Sequence, residues 1–96
     1  MVRFTVSANY VDYVKGTINL SGPDSYSFDF NKPPGGYNIG NVKVGTYSVS
    51  ITSIKCKCQN QVGEVPSVNP IWTESITIKE GGYAIILLQE SCGCYH

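Results

Sequence analysis

Apolar and polar residues alternate with a period of two along most of this 96-residue chain. Val2, Phe4 and Val6 fall on one side of the first segment, with Arg3, Thr5 and Ser7 opposite. Successive side chains of an extended backbone point to opposite faces, so this pattern predicts half-buried strands. Val14, Gly16, Ile18 and Leu20 against Lys15, Thr17, Asn19 and Ser21 predict a second strand, and Tyr26, Phe28 and Phe30 a third. A short one is expected at Tyr37 to Ile39. The most regular is Tyr47, Val49 and Ile51 against Ser48, Ser50 and Thr52. Trp72 to Lys79 reads as a strand with Ile76 and Ile78 inward. Tyr83 to Gln89 is apolar on both sides, which predicts a central strand covered on each face. No window repeats apolar residues at three and four without a Gly or Pro, so no helix is expected.

Turn chemistry separates these segments. Gly22-Pro23-Asp24-Ser25 and Pro33-Pro34-Gly35-Gly36 break the ladder, and Glu80-Gly81-Gly82 predicts a tight hairpin. The stretch from Gln59 to Pro70 is a long connection or holds a short edge strand. Six or seven short strands without helix give an all-β fold, an antiparallel Greek-key β-sandwich forming one domain over residues 1–96.

Composition narrows the function. Lys plus Arg equals Asp plus Glu at 7 each, so the net charge is zero. Partners such as duplex nucleic acid or an anionic membrane call for a positive surplus, and neither is expected. The longest apolar run, Tyr83 to Leu88, falls far short of the ~20 residues of a spanning helix. Met1 to Val6 alternates and does not read as a secretory leader. The expectation is therefore cytoplasmic synthesis, with a virion or extracellular destination open.

The unusual feature is two cysteine pairs, Cys56-Lys57-Cys58 and Cys92-Gly93-Cys94. Each follows a strand, and an up-down-up path through the last three strands brings both pairs to one pole. Residues two apart on an extended segment face the same side, so four sulfurs converge. Two disulfides would close loops of roughly 35 residues, worth about 3–4 kcal/mol in the chain-entropy model. Four thiolates would instead hold one structural zinc, with His96 as a substitute ligand. The C-x-C spacing favours disulfides, and the missing leader favours thiols or zinc. Both readings make the pairs structural.

The segment Tyr37 to Ile51, with its Val44-Gly45-Thr46-Tyr47-Ser48-Val49-Ser50-Ile51 corner, resembles carboxypeptidase regulatory-like or prealbumin-like sandwich domains, including collagen-adhesin B-type repeats. Gly16 to Gly22 is similar to that family's second strand, and Ile76 to Leu88 to its closing pair. The resemblance implies an immunoglobulin- or prealbumin-like sandwich acting as a non-catalytic binding or spacer module. Adhesin repeats often carry a Lys–Asn crosslink near the last strand. Here no Asn follows Asn69, a departure from that pattern.

Catalysis is not expected. His96 is the sole His, so a Ser-His-Asp or Cys-His site would rest on the last residue. The seven carboxylates show no converging pattern, and no phosphate-cradling loop is present. Tyr26, Tyr37 and Tyr47 read as core or corner residues, whereas Tyr10, Tyr13 and Trp72 are candidates for exposed contact. The leading expectation is a structural or interaction module, such as a virion or capsid decoration protein, with a protein partner or self-assembly. A carbohydrate- or peptide-binding sandwich using Tyr10, Tyr13 and Trp72 is the alternative, and a small structural-zinc protein is a further one.

Overall fold

The computed structural model describes residues 2–40, 42–66, 72–89 and 92–94. The described residues form strands β1 (Val2–Ser7), β2 (Val11–Ser21), β3 (Ser25–Lys32), β4 (Gly35–Gly40), β5 (Gly45–Cys58), β6 (Val65–Pro66), β7 (Trp72–Ile78) and β8 (Ala84–Gln89), with no helix among them. These make two sheets. The smaller has the order β4-β1-β8. In the larger, β3 pairs β2, β2 pairs β5, and both β6 and β7 pair β5. The sheets face each other as a sandwich of 43 × 20 × 16 Å.

The alternation read from the sequence fills the space between them. Val2, Phe4, Val6, Ile86 and Leu88 point inward from the small sheet, against Val14, Ile18, Leu20, Tyr47, Val49 and Ile51 from the large one. Phe4 meets Phe30 edge-on across the gap, with ring centroids 4.8 Å apart, an arrangement the ring quadrupoles favour. The outer face of the large sheet is lined by hydroxyls and amides. Thr17 donates to Asp29 at 2.8 Å and Ser27 to Asn19 at 3.1 Å, and Thr46 lies 3.1 Å from Thr77.

Three expectations are corrected. Pairing is antiparallel except between β1 and β8, which run parallel from Val2↔Ala84 to Ser7↔Gln89. The Glu80-Gly81-Gly82 turn does not make a hairpin within one sheet. Gly82 N–H donates to Lys79 C=O at 3.0 Å, and the chain crosses from β7 in the large sheet to β8 in the small one. That crossing delivers β8 to the flank of β1, where parallel pairing results. In consequence β8 is an edge strand, not a covered central one. Only one of its two apolar rows, Ala84, Ile86 and Leu88, is buried.

A bulge in β5 decides what the second half of that strand presents. Lys15 pairs Lys55 while Thr17 pairs Thr52, so Ser53 and Ile54 together oppose Gly16. Ser53 takes up the extra residue with φ 57°. A side chain on Gly16 would sit 3.0 Å from the Thr52 carbonyl and 3.1 Å from the Phe30 ring, so the bulge is built against a bare backbone. Before the bulge the odd positions Tyr47, Val49 and Ile51 face the core. After it the even ones do: Ile54, Cys56 and Cys58. One extra residue thus turns both cysteines inward.

The corner around Tyr47 is equally tight. Its ring is fully buried, and its hydroxyl donates to the Lys43 carbonyl at 2.8 Å. A Cβ on Gly22 would fall 2.5 Å from the Thr46 carbonyl and 2.7 Å from the Tyr47 ring.

Candidate functional site: the stapled pole and the apolar edge

β5 and β8 run in the same direction, so their ends meet at one pole. There Cys56 bonds Cys92 and Cys58 bonds Cys94, with Cα separations of 6.2 and 5.4 Å and a sequence separation of 36 residues each. The i, i+2 pairs form a two-rung parallel ladder, with Cys56 and Cys58 buried and Cys92 and Cys94 packed against the core. Of the two chemistries open to the sequence, the disulfides are the one present. Among the described residues no group of three or more His, Cys, Asp or Glu side chains gathers. His96 lies outside the described residues.

A polar network surrounds the same pole. Tyr13 donates to Glu64 at 2.5 Å, and Lys15 pairs the same carboxylate at 2.6 Å. These bonds tie the segment after β5 back onto β2. The Glu64 carboxyl is held below its ordinary range, first by Lys15 and then by Tyr13. The Tyr13 phenol is raised, chiefly because it donates to Glu64. Lys57 reaches Asp12 at 3.2 Å and the Cys58 carbonyl at 2.8 Å. The arrangement is one of mutually satisfied charges, suited to holding a loop.

The three candidate contact aromatics do not share a face. Tyr10, in a left-handed backbone conformation with φ 59°, is about half exposed, and its carbonyl accepts from Gln59 N–H. Tyr13 lies opposite Lys57, on the outside of the large sheet. Trp72 lies opposite the fully buried Ile51 and leans on the core. Six residues of β5 separate the two registers, about 20 Å at the rise of a strand.

What the sequence reading missed is the outside of β8. Tyr83, Ile85 and Leu87 are 64 %, 52 % and 42 % exposed, respectively. Ile85 and Leu87 lie beside Arg3 and Thr5 on β1, which in turn face Asn38 and Gly36 on β4. The signal was present in the two-sided apolarity of Tyr83 to Leu88. Two-sided apolarity predicts burial on both faces, whereas in β8 one face is covered and one is not. A second feature lies at the other side of the sandwich, where a groove between β3 and β4 is walled by Phe28, Tyr37 and Ile39 and rimmed by Asp29, Lys32 and Asn38. The Lys32 ammonium sits 5.2 Å from the centre of the Tyr37 ring.

No family model, curated protein or solved structure matches this chain.

Proposed function

We propose that this chain is a non-catalytic interaction module, a stapled sandwich that takes a fixed place in a larger assembly such as a virion or another surface layer. The observation that carries this reading is the solvent-facing row Tyr83, Ile85 and Leu87 on an edge strand. Contiguous exposed apolar side chains on a soluble fold mark contact surfaces, and open edges are normally blunted. Two buried-end cystines support an oxidising destination, where such bonds persist. Connections that cross between sheets, from β1 to β2, β3 to β4, β4 to β5 and β7 to β8, support a Greek-key path of immunoglobulin- or prealbumin-like type.

Photo-crosslinking tests the reading. A photoreactive residue at position 85, compared with one at position 50 on the hydroxyl face, is irradiated in the native setting of the protein. Adducts to protein from position 85 and none from position 50 are expected. Adducts from neither position contradict the proposal.

A carbohydrate-binding role is the second reading, and the groove between β3 and β4 supports it. Phe28 and Tyr37 supply ring faces there, and Asp29 and Asn38 supply hydrogen-bonding groups. Glycan-array binding that disappears in Tyr37→Ala favours it over the first.

A further inference from the structure

We propose that the open edge of β8 pairs with β8 of a second copy of this chain, antiparallel about a two-fold axis at Ile86. This names the partner of the surface just described and rests on reading the chain as an interaction module. Among the described residues β8 hydrogen-bonds in register with β1 alone, through six residue pairs without a shift. Among the described residues its other side is therefore a run of backbone groups that no strand pairs, a template for a further strand.

The other edges are guarded. β3 carries Asp29 and Lys32 and runs into Pro33-Pro34, and β7 carries an exposed Glu74. β4 is bent by Gly35 and Gly40, with φ values of 149° and 126°. β8 holds no charge, no proline and no glycine from Ala84 to Gln89. β8 thus lacks both the charge and the proline that natural sheets use on edges against self-pairing.

The identity of the partner follows from complementarity. A strand added to β8 must be uncharged and must present apolar side chains to both faces. β8 itself is the strand of this chain that does so. An antiparallel pairing centred on Ile86 sets Ile85 against Leu87 on the outer face and Ala84 against Leu88 on the inner. Tyr83 then stands beside Gln89, a polar end to an apolar row. Each pair keeps its two members on the same face, as an antiparallel ladder requires. The contact is self-complementary, the form a two-fold dimer demands. A net charge of zero leaves no long-range repulsion between copies.

Area sets the strength. Six residues make an edge about 20 Å long, and the thin dimension of the molecule is 16 Å. The product is roughly 300 Å² per copy and about 600 Å² in total, little more than a third of the ~1,600 Å² that a standard stable interface buries. The pair is therefore reversible in isolation and gains strength only when many copies are held together.

Sedimentation equilibrium of the intact, oxidised protein from about 10 μM to about 1 mM, a span suited to an interface of this size, provides the test. The expected mass rises toward that of a dimer across the range. Leu87→Lys, at an exposed position, weakens association at least tenfold with an unchanged circular-dichroism spectrum, while Thr73→Lys on the hydroxyl face leaves it intact. In a mixture of differently labelled copies, methyl contacts appear between Ile85 and Leu87 of different molecules. A monomer throughout, or a dimer indifferent to Leu87→Lys, overturns the proposal. If that monomer still crosslinks to another protein from position 85, the homotypic pairing falls and the interaction module stands. If it crosslinks to nothing, both fall.

Discussion

The two sheets are built from the same alternation and turn opposite outer faces to water. Outside the large sheet, Ser21, Asn19 and Thr17 of β2 continue as Ser48, Ser50 and Thr52 of β5 and as Ser75 and Thr73 of β7. Thr17 and Asn19 of this face bond Asp29 and Ser27 of β3, and the row carries no large apolar side chain. Outside the small sheet, Tyr83, Ile85 and Leu87 stay exposed where the same alternation elsewhere places Ser or Thr. The sheets also differ in how they are held. The large one contains the local β2–β3 hairpin, whereas β4, β1 and β8 are remote from one another in sequence. Closing such loops costs entropy before contacts reward it. The cystines pin the chain just beyond β8 to β5 of the other sheet. The polar-faced sheet is built around one local hairpin, and the apolar-faced one is joined to it by a covalent clamp.

Each side of that contrast is open to perturbation. The largest effect is expected for Phe4→Ala, which empties the centre of the small sheet and removes the contact with Phe30. A loss of about 3–5 kcal/mol, typical of a buried Phe, is predicted in urea unfolding. Next is the double substitution Cys56→Ala with Cys92→Ala, which removes the inner rung of the ladder. A full single loop of this size is worth about 3–4 kcal/mol, and the remaining rung closes nearly the same loop, so about 1–2 kcal/mol is expected. Removing both rungs costs the full amount. Hydrogen exchange separates the sheets in that case, with β8 and β1 amides exchanging faster than those of β2 and β3.

Smaller effects sharpen the comparison of faces. Ser50→Lys and Ile85→Lys both alter exposed or half-exposed positions, and each shifts stability by no more than about 0.5 kcal/mol. Their consequences for association differ, with Ile85→Lys abolishing it and Ser50→Lys leaving it unchanged. The smallest effect concerns Glu64. Its folded-state pKa lies below its unfolded value, so its contribution is complete above the unfolded value and is lost as pH falls through the folded one. Carbon NMR of the Glu64 carboxyl should give a midpoint below the ordinary carboxylate range. Lys15→Met should return it upward, because Lys15 is the largest cause of the depression.

Much of this was legible in the residues. The alternation of Val14 to Leu20 and of Tyr47 to Ile51 maps directly onto buried inner faces, because period two admits one assignment of sides. The paired cysteines converge as their i, i+2 spacing implies, and the chain direction brings them to one pole. Three features were harder to read. The bulge at Ser53 is announced only by Thr52-Ser53, two polar residues between Ile51 and Ile54, and its effect on Cys56 and Cys58 appears when the register is known. The parallel pairing of β1 with β8 joins the two ends of the chain, and no local signal encodes it. The exposure of Ile85 and Leu87 depends on β8 being an edge, which is a property of the sheet and not of the strand. The relative placing of the candidate contact aromatics was hard to read for a related reason. Tyr13 and Trp72 fall on opposite faces of one sheet, which spacing alone does not reveal.

Every property asked of β8 depends on its seat beside β1, and the two cystines hold that seat. Tryptic digestion of the unreduced protein measures this directly, since cleavage after Lys55, Lys57 and Lys79 separates Cys56, Cys58 and the peptide spanning residues 80–96. The Cys56 and Cys58 fragments should both remain bonded to the 80–96 peptide until reductant is added. Release of 80–96 as a free peptide with its own internal disulfide would contradict the clamp and with it the placement of the apolar edge.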